Sequence, residues 1–363
     1  MKTISFLIYS MDIGGAEKVT HDLINQYVSD GFNVFLFCLT KTGSFLHELK
    51  IPEENIYEVG KPSSIKNIFK ISNNISKLLY ETKTDYFFSM GEWPNVISPF
   101  VKYGGKYAIV EHSTKTFFTS PKDYHLPLSI RILSNIAYKK APKILCVSRN
   151  IKNLLVLKNK ALAAKTEVVY NPINFDNVSR LSCEKINYNT KKFKIISVSR
   201  FSKPKNLHLL LQAFSEVRKD FTDTELWLVG DGEMRKGLEK LTEKLKIKDS
   251  VIFFGFQENP YKFISKADLF VLSSDYEGFS LVICETLFLH KRVVTTRCNS
   301  DLDDLITPDY GVIVPIGNKK ELINAIKREV MTRKNVENIP GLLNRFSIKT
   351  VANKYLDYLN GNE

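Results

Sequence analysis

The sequence repeats one construction: an apolar strand, a turn that carries glycine or basic residues, and a helix with apolar residues at helical spacing. The first copy starts with the strand Thr3–Ser10 and the turn Asp12–Glu17. The second starts with the strand Phe193–Ser199, and its turn contains Pro204. Strands that alternate with amphipathic helices are typical of parallel sheets covered on both faces. The repeat therefore predicts two α/β halves, each built on its own parallel sheet.

The boundary between the halves is predicted near residue 171. Asn171 and Pro172 interrupt the alternation, and a polar tract extends to about Lys192. At about 150 residues per domain, a chain of 363 residues exceeds one ordinary core. We expect an N-terminal domain over 1–170, a C-terminal domain over 171–345 and a final helix within 346–363. Further strands are predicted at Asn33–Leu39, Tyr86–Met90, Tyr107–Glu111, Ile144–Val147, Glu225–Val229, Val251–Phe254, Leu269–Leu272, Arg292–Thr296 and Val312–Val314.

Composition favours a cytoplasmic globular protein. Hydrophobic residues make up 44% of the chain and charged residues 25%. The apolar run after Met1 is short and fits a buried strand better than a signal peptide, and no run approaches the roughly 18–20 residues that span a bilayer. The cysteines form no CxxC pair, which favours reduced core thiols. They are Cys38, Cys146, Cys183, Cys284 and Cys298.

The basic charge concentrates in the first half. The net charge is +13, and residues 1–170 contain 22 Lys and Arg against 14 Asp and Glu. Two stretches, Ser64–Lys83 and Ile130–Lys143, combine lysines with helical apolar spacing. Such surfaces dock on anionic lipid, which predicts peripheral membrane binding. The alternative is that the apolar faces pack on the sheet and the lysines are solvated.

Two turns that follow strands suit an anionic ligand. Gly14 and Gly15 let the backbone approach a ligand, and the helix after them presents free N–H groups. The segment is not GxGxxG and no acidic residue follows the second strand, so a dinucleotide site is disfavoured. In the second half, Arg200 and Lys205 flank a short turn and can bracket a diphosphate. Taken alone, the glycine turn is equally compatible with an ordinary strand-to-helix connection, and the basic turn is more often a solvated surface turn.

Two carboxylates and one histidine are further candidates. Glu277 lies in the loop after strand Leu269–Leu272, and Glu285 lies in the helix that follows. Carboxylates accept hydrogen bonds from the paired hydroxyls of sugars and ribose, and a helix start suits phosphate. A lone histidine is usually structural or exposed, but His112 follows an interior strand, which raises the expectation of a functional role.

Taken in order, these segments resemble glycosyltransferase family 4, retaining enzymes of the GT-B fold. The resemblance covers nearly the whole chain, and the ordered set is far more specific than any one motif. It implies two Rossmann-like domains that face each other across a central cleft, with the C-terminal helix (about Ile348–Leu359) crossing back to the first domain. The matching segments are Gly14-Gly15-Ala16-Glu17, His112, Asn171-Pro172, Arg200, Lys205-Asn206, Gly230-Asp231-Gly232, Glu277 and Glu285.

The resemblance also implies a role for each matched position. Arg200 and Lys205 would bind the donor diphosphate and stabilise the leaving group. Glu285 would hold the ribose, and Glu277 the transferred sugar. His112 would contact that sugar near the reacting carbon, and Gly14 and Gly15 would line the opposing wall. The backbone from Gly278 through Phe279 and Ser280 to Leu281 would line the sugar and phosphate.

The implied activity is hexosyl transfer from a nucleotide-sugar to a glycan acceptor. By frequency in the family, the donor is expected to be a UDP-hexose or a UDP-N-acetylhexosamine. A lipid-linked acceptor in bacterial surface-polysaccharide assembly is expected, on the inner face of the cytoplasmic membrane. Front-face attack, in which the leaving phosphate takes the acceptor proton, requires no protein nucleophile. We expect no cofactor, no metal and no nucleic-acid partner.

One segment departs from the family pattern. After the strand that ends at Thr296, members often carry Gly-Gly or Gly-Pro and then Glu, whereas this chain has Arg297-Cys298-Asn299-Ser300-Asp301. The donor-sugar contacts that family members make from this loop therefore do not carry over to this chain by the resemblance. Asp301-Leu302-Asp303 resembles the DxD metal motif of the other large glycosyltransferase fold, but the order of the surrounding segments is wrong for that fold.

Three other functions remain as alternatives. A phosphorylase or a sucrose-type synthase has the same fold, although cofactor-dependent phosphorylases need a longer chain. A sugar-binding relative without activity is disfavoured by the intact Arg200, Lys205, Glu277 and Glu285. A basic nucleic-acid-binding protein would use the +13 charge, but no aromatic–basic recognition motif supports it.

Overall fold

The computed structural model describes residues 1–12, 14–113, 116, 127–338 and 341–361. The chain forms two compact units, Met1–Ile173 with Arg345–Glu363, and Asn174–Asn344. Each unit contains one sheet in which all paired strands are parallel. The two sheets are those that the repeated strand–turn–helix pattern predicts.

The sheet of the first unit has seven strands in the order β3-β2-β1-β4-β5-β6-β7. Every residue of β1 is buried, as expected for a strand that is covered on both faces. The chain crosses from one side of β1 to the other between β3 and β4, so β1 and β4 flank a topological switch point. The strands are β1 Thr3–Ile8, β2 Asn33–Cys38, β3 Ile56–Glu58, β4 Tyr86–Met90, β5 Lys106–Glu111, β6 Ile144–Cys146 and β7 Thr166–Val168.

Among the described residues of the first unit, five α-helices precede the crossing to the second. They are α1 Gly15–Ser29, α2 Ile65–Glu81, α3 Glu92–Ile97, α4 Leu128–Lys140 and α5 Arg149–Lys158. Ile68, Ile71 and Ile75 of α2 lie at helical spacing and are buried in one core cluster. Ile130 and Leu133 of α4 join the same cluster. The apolar periodicity in the sequence therefore marks the faces that pack inward.

The sheet of the second unit has six strands in the order β10-β9-β8-β11-β12-β13. Its switch point lies between the neighbours β8 and β11. The strands are β8 Phe193–Val198, β9 Thr224–Val229, β10 Val251–Gly255, β11 Leu269–Leu272, β12 Arg292–Thr296 and β13 Gly311–Val314. The helices are α6 Phe175–Ser182, α7 Leu207–Asp220, α8 Arg235–Lys244, α9 Tyr261–Lys266, α10 Leu281–Phe288 and α11 Lys319–Thr332.

The last helix, α12 (Ile348–Asn360), packs on the first unit. The hydroxyl of Tyr27 on α1 donates to the carbonyl of Ala352 over 2.8 Å. The ring of Tyr355 meets that of Phe88 edge-on, with 5.2 Å between their centroids. The expected return of the C-terminal helix is thereby confirmed.

Several elements were not predicted from the sequence, α5 and α11 among them. The predicted polar tract after Pro172 contains α6, in which Val178 is the buried residue. The side chain of Asn174 accepts from the amide of Asn177 and caps that helix. The short strand β3 and the short helix α3 were also not predicted. The predicted ends of most other strands differ from the observed ends by one or two residues, which is the usual fraying at element ends.

Candidate active site

The switch point of the second sheet brings together loops that are far apart in the sequence. The loop 199–206 follows β8, and the loop 273–280 follows β11, the neighbouring strand. The segment 297–299 follows β12, the next strand along. Because all these strands are parallel, the three connections leave the same edge of the sheet, where open α/β sheets bind ligands.

Lys205 and Glu277 form an ion pair across the two central loops. Lysine Nζ lies 2.6 Å from Oε1 of Glu277, and the two side chains are 25% and 13% exposed. The hydroxyl of Ser274 donates to the same oxygen over 2.7 Å. Oε2 of Glu277 accepts no hydrogen bond from the residues that the structure describes. The pair thus offers one carboxylate oxygen to a hydroxyl donor and two remaining lysine N–H groups to an anion.

The loops are fixed to one another beside this pair. Asn206 donates to the carboxylate of Asp275 over 2.8 Å. The hydroxyl of Ser273 lies 3.0 Å from the carbonyl of Lys205, to which it donates. Asn206 has a positive φ of 46°, and its side chain caps α7 by accepting from Leu209. The positions of Lys205 and Glu277 therefore follow from a hydrogen-bonded frame and not from the ion pair alone.

Arg200 is not part of that frame. Its side chain is 76% exposed, and its guanidinium lies 3.6 Å from Glu233. The turn at Gly230 passes close to the Arg200 loop. Gly230 has a φ of +132°, and a Cβ there would lie 1.9 Å from the carbonyl oxygen of Ser199. Glycine is therefore required at this crossing, which accounts for the Gly230-Asp231-Gly232 motif.

Glu285 is buried rather than open. It lies on α10, is 6% exposed, and its Oε1 accepts from the hydroxyl of Tyr261 over 2.9 Å. Tyr261 on α9 was not predicted as a site residue, since a single tyrosine in an apolar helix carries no functional signal. It orients the carboxylate that the resemblance assigns to the ribose.

The start of α10 has one buried hydroxyl without a partner among the described residues. The hydroxyl of Ser280 is buried and has no hydrogen-bond partner among the described residues. The amide of Leu281 donates to the carbonyl of Phe279 over 3.1 Å. Buried polar groups are normally satisfied, so an unpaired hydroxyl at a helix start is suited to a ligand oxygen.

Asn299 holds the loop that carries Glu277. It is 3% exposed, and its Nδ2 donates to the carbonyl of Gly278 and, over 3.4 Å, to that of Glu277. The amide of Glu277 donates to the carbonyl of Cys298 over 3.1 Å. The segment that departs from the family pattern is therefore in direct contact with the candidate donor loop.

In the first unit, Gly14 and Gly15 lie at the start of α1. Gly14 has extended backbone angles, and its carbonyl accepts the amide of Lys18, so it is the N-cap of the helix. Ile13, which precedes the pair, lies outside the described residues. The carboxylate of Glu17 is partly buried in the first turn, and burial raises its pKa.

His112 follows β5 in the first unit. Both of its ring nitrogens are shielded from solvent. Burial lowers the pKa of His112 to about 4, and the neighbouring side chain of Asn171 offsets only part of this effect. The imidazole is therefore neutral at pH 7 and can donate or accept a hydrogen bond without adding charge.

Glu111 precedes His112 and is buried with it. The hydroxyl of Tyr138 on α4 donates to Oε2 of Glu111, and Oε1 accepts the amide of His112 over 3.2 Å. Burial raises the pKa of Glu111 to about 8. Neither Glu111 nor Tyr138 was predicted as a functional residue, although Glu111 stands next to the predicted histidine.

Two further properties concern the described part of the chain. It contains no group of three or more His, Cys, Asp or Glu side chains placed to hold a metal ion. None of its helices combines the length and the apolar character needed to cross a membrane.

Comparisons with known proteins cover most of the chain. The model described as Glycosyltransferase Family 4 matches residues 13–177, and the one described as Glycosyl transferases group 1 matches residues 180–339. The N-acetylgalactosamine-N,N'-diacetylbacillosaminyl-diphospho-undecaprenol 4-alpha-N-acetylgalactosaminyltransferase of Campylobacter jejuni is 30% identical over 338 residues, covering 90% of each chain.

Solved structures show the same fold. Anabaena Alr3699/HepE in complex with UDP has a TM-score of 0.81 at 20% identity, over 99% of this chain and 100% of that one. The lipopolysaccharide outer core galactosyltransferase WaaB in its apo form has a TM-score of 0.74 at 20% identity, with the same coverage. The fold is that of the GT-B glycosyltransferases, as expected, and the protein is a glycosyltransferase. The chain belongs to glycosyltransferase family 4, and residues 180–339 form its group 1 domain.

Proposed function

We propose that this enzyme transfers a hexosyl group, with retention of configuration, from a UDP-sugar to a lipid-linked glycan in bacterial surface-polysaccharide assembly. The observation that carries the proposal is the Lys205–Glu277 pair at the switch point of the second sheet. The UDP complex of the similar structure supports the choice of nucleotide. The diphospho-undecaprenol in the name of the Campylobacter jejuni relative supports the choice of acceptor.

In the proposed donor site, cationic and hydroxyl groups bind the diphosphate, and carboxylates accept hydrogen bonds from the hydroxyls of the sugar and the ribose. Lys205, Arg200 and the hydroxyl of Ser280 bind the diphosphate and stabilise the charge that grows on the leaving group, which is the largest contribution expected in such a reaction. Glu277 accepts hydroxyls of the transferred sugar through its unoccupied oxygen, and Glu285 those of the ribose. No metal and no cofactor are required in this proposal.

The reaction is proposed to need no protein nucleophile. The bond between the anomeric carbon and the diphosphate oxygen breaks, and the acceptor oxygen attacks from the same face. The leaving phosphate takes the acceptor proton. His112, which is neutral at pH 7, contacts the transferred sugar by a hydrogen bond. Gly14 and Gly15 present the amides of α1 to the substrates.

Membrane association is proposed through one basic, apolar surface of the first unit. On α4, Leu128 and Ile132 are 68% and 52% exposed, although the opposite face of that helix is buried. Phe69 of α2 meets Phe100 edge-on with 5.3 Å between centroids, and the Nζ of Lys140 lies 5.2 Å from the centroid of the Phe100 ring. These contacts join the exposed faces of α2 and α4, on which lie Lys66, Lys70, Lys77, Lys139 and Lys140. We call these exposed faces of α2 and α4 the amphipathic surface.

The catalytic part of the proposal is tested by Lys205→Met and Glu277→Gln, with Lys203→Met as a control. Lys203 lies on the same short turn but is exposed and has no ion pair among the described residues. Transfer is measured with a panel of UDP-sugars and an undecaprenyl-diphosphate-linked glycan, and binding with UDP alone.

Each site variant should lose at least about 100-fold in kcat/KM, the effect of removing one transition-state contact. Lys205→Met should also weaken UDP, whereas Glu277→Gln should keep UDP and lose the additional affinity of the UDP-sugar. Melting temperatures should stay near that of the wild type. Wild-type turnover in either variant, or an equal loss in Lys203→Met, would refute the site.

A further inference from the structure

Asn299 occupies the segment in which this chain departs from the family pattern. We propose that Asn299 is a positioning residue: it orients Glu277 and the amides after it, and so controls recognition of the donor sugar rather than of the nucleotide. This inference rests on the proposed function of Glu277 in binding that sugar. A glycine at position 299 has no side chain, so the Gly-Gly segment common in the family cannot make the bonds described here.

The side chain of Asn299 is fully occupied within the chain. Nδ2 donates to the carbonyls of Gly278 and Glu277, and Oδ1 accepts the amide of Asp301 over 2.7 Å. With 3% exposure, the carboxamide is closed off from solvent. Asn299 therefore acts on the substrate through the 273–280 loop and not by direct contact.

The two carbonyls that Asn299 binds belong to consecutive peptide groups. In a planar trans peptide the C=O and the following N–H point in opposite directions. Holding the carbonyls of Glu277 and Gly278 toward Asn299 therefore turns the N–H groups of Gly278 and Phe279 away from it. The loop between Glu277 and α10 presents its amides on the side opposite Asn299.

The same bonds fix the side chain of Glu277. Its backbone is held at the amide by Cys298 and at the carbonyl by Asn299, and its Oε1 is held by Lys205 and Ser274. If the backbone restraint from Asn299 is removed, the loop can rotate about Glu277 and Gly278. The Glu277 carboxylate then keeps its charge but loses its fixed position. Because the rate of transfer depends on how accurately the sugar is positioned, this displacement should lower it.

The decisive variant is Asn299→Asp, which keeps the size of the side chain and the acceptor for Asp301 but replaces the donating NH₂ with an oxygen. Asn299→Ser retains a hydroxyl that can donate a hydrogen bond. It replaces Asn299→Asp in the test if the aspartate variant folds poorly. Asn318→Asp is the matched control, since Asn318 is a second asparagine of the same unit that caps a helix, accepting from the amide of Glu321. Dissociation constants for UDP and for the preferred UDP-sugar, kcat, KM and the melting temperature are measured on the full chain.

For Asn299→Asp we expect UDP affinity within about threefold of wild type, while kcat/KM for the UDP-sugar falls at least about 30-fold. Asn299→Ser should recover part of that loss, and Asn318→Asp should match wild type. In a double-mutant cycle, Asn299→Asp should add little to Glu277→Gln, because both act on one contact.

Equal losses of UDP and UDP-sugar affinity would overturn the inference, since they would show a general structural role. Unchanged kcat/KM in Asn299→Asp would overturn it as well. If Glu277→Gln loses sugar recognition and Asn299→Asp does not, the inference alone fails. If Glu277→Gln has no effect, the proposed function of Glu277 fails, and the inference fails with it.

Discussion

Glu111 and His112 are neighbours whose pKa values burial shifts in opposite directions. Burial raises the pKa of Glu111 to about 8 and lowers the pKa of His112 to about 4. In both cases the interior disfavours the charged form. Between these two values both side chains are neutral, so the end of β5 carries no charge at neutral pH from either residue.

The raised pKa of Glu111 makes stability depend on pH. Because its folded pKa lies above the unfolded value of 4.5, its contribution to stability is fully present below pH 4.5 and is lost as pH rises through about 8. Glu111→Gln, which mimics the neutral carboxyl, should lack this loss. The free energy of unfolding of wild type relative to Glu111→Gln should therefore fall from pH 5 to pH 8, by at most about 1.4 kcal/mol per pH unit.

Urea unfolding at several pH values measures this difference. Glu167→Gln is the control, because the Glu167 side chain belongs to the same unit but is 51% exposed. A constant difference between wild type and Glu111→Gln across this range would contradict the buried, neutral state of Glu111.

At the candidate site, the sequence singled out individual residues but not the partners they contact. Lys205 and Glu277 were each identified, yet their ion pair joins positions 72 residues apart. It forms because β11 lies beside β8, and strand order is not encoded in the periodicity of either strand. Tyr261 and Asn299 were missed for the same reason: each acts through a contact with a different segment.

Periodicity identified most of the secondary-structure elements but not all of them, since α11, whose buried residues also lie at helical spacing, was not predicted. In α2, four buried residues repeat at helical spacing, Ile68, Ile71, Ile75 and Leu79. The helix α6 has eight residues with one buried hydrophobic, Val178, and so it resembles a polar loop. A helix this short is stabilised by its cap and its packing rather than by its own sequence.

The packing of helix α12 on the first unit can be tested at Tyr355. Tyr355 is 0% exposed, and its ring packs on Phe88, so Tyr355→Ala should leave a cavity and destabilise the first unit by about 3 kcal/mol or more. The hydroxyl of Tyr355 is buried without a partner in the described structure. Tyr355→Phe should therefore be neutral or stabilise by about 1 kcal/mol.

Thermal and urea unfolding of the two variants test the packing of α12. If Tyr355→Phe destabilised the protein more than Tyr355→Ala, the hydroxyl would be hydrogen-bonded and the ring would contribute little to stability. Equal, negligible effects would mean that α12 is not needed to cover the first unit.

For the whole molecule, the return of the chain to its first unit was predicted by the family resemblance, not by residue spacing. No local signal in Ile348–Asn360 shows which sheet the helix covers. The excess of basic charge in residues 1–170 was visible in the sequence, but its meaning depends on which lysines share a face with exposed apolar residues. The structure supplies that information for α2 and α4.

The amphipathic surface leads to the last prediction, which concerns the intact protein on vesicles. Lysines near an anionic membrane contribute about 1 kcal/mol each, so replacing Lys66, Lys70 and Lys77 by alanine should weaken binding to phosphatidylglycerol vesicles by roughly 100-fold. Replacing Lys236, Lys240 and Lys244 on α8 changes the charge equally and should have little effect.

Vesicle flotation distinguishes binding through the amphipathic surface from binding through net positive charge alone. Binding to phosphatidylglycerol vesicles should weaken as salt rises from about 0.1 M to about 1 M, because the screening length falls from roughly 10 Å to roughly 3 Å. Leu128→Gln with Ile132→Gln should weaken binding at both salt concentrations, since it removes apolar area and no charge. Absence of flotation, equal binding to phosphatidylcholine vesicles, or equal losses in the two lysine triples would each exclude the amphipathic surface as the membrane contact. A loss confined to the α2 triple and the α4 double variant would instead locate the contact on these two helices, because the α8 triple has the same net charge as the α2 triple and leaves the exposed apolar side chains of α4 in place.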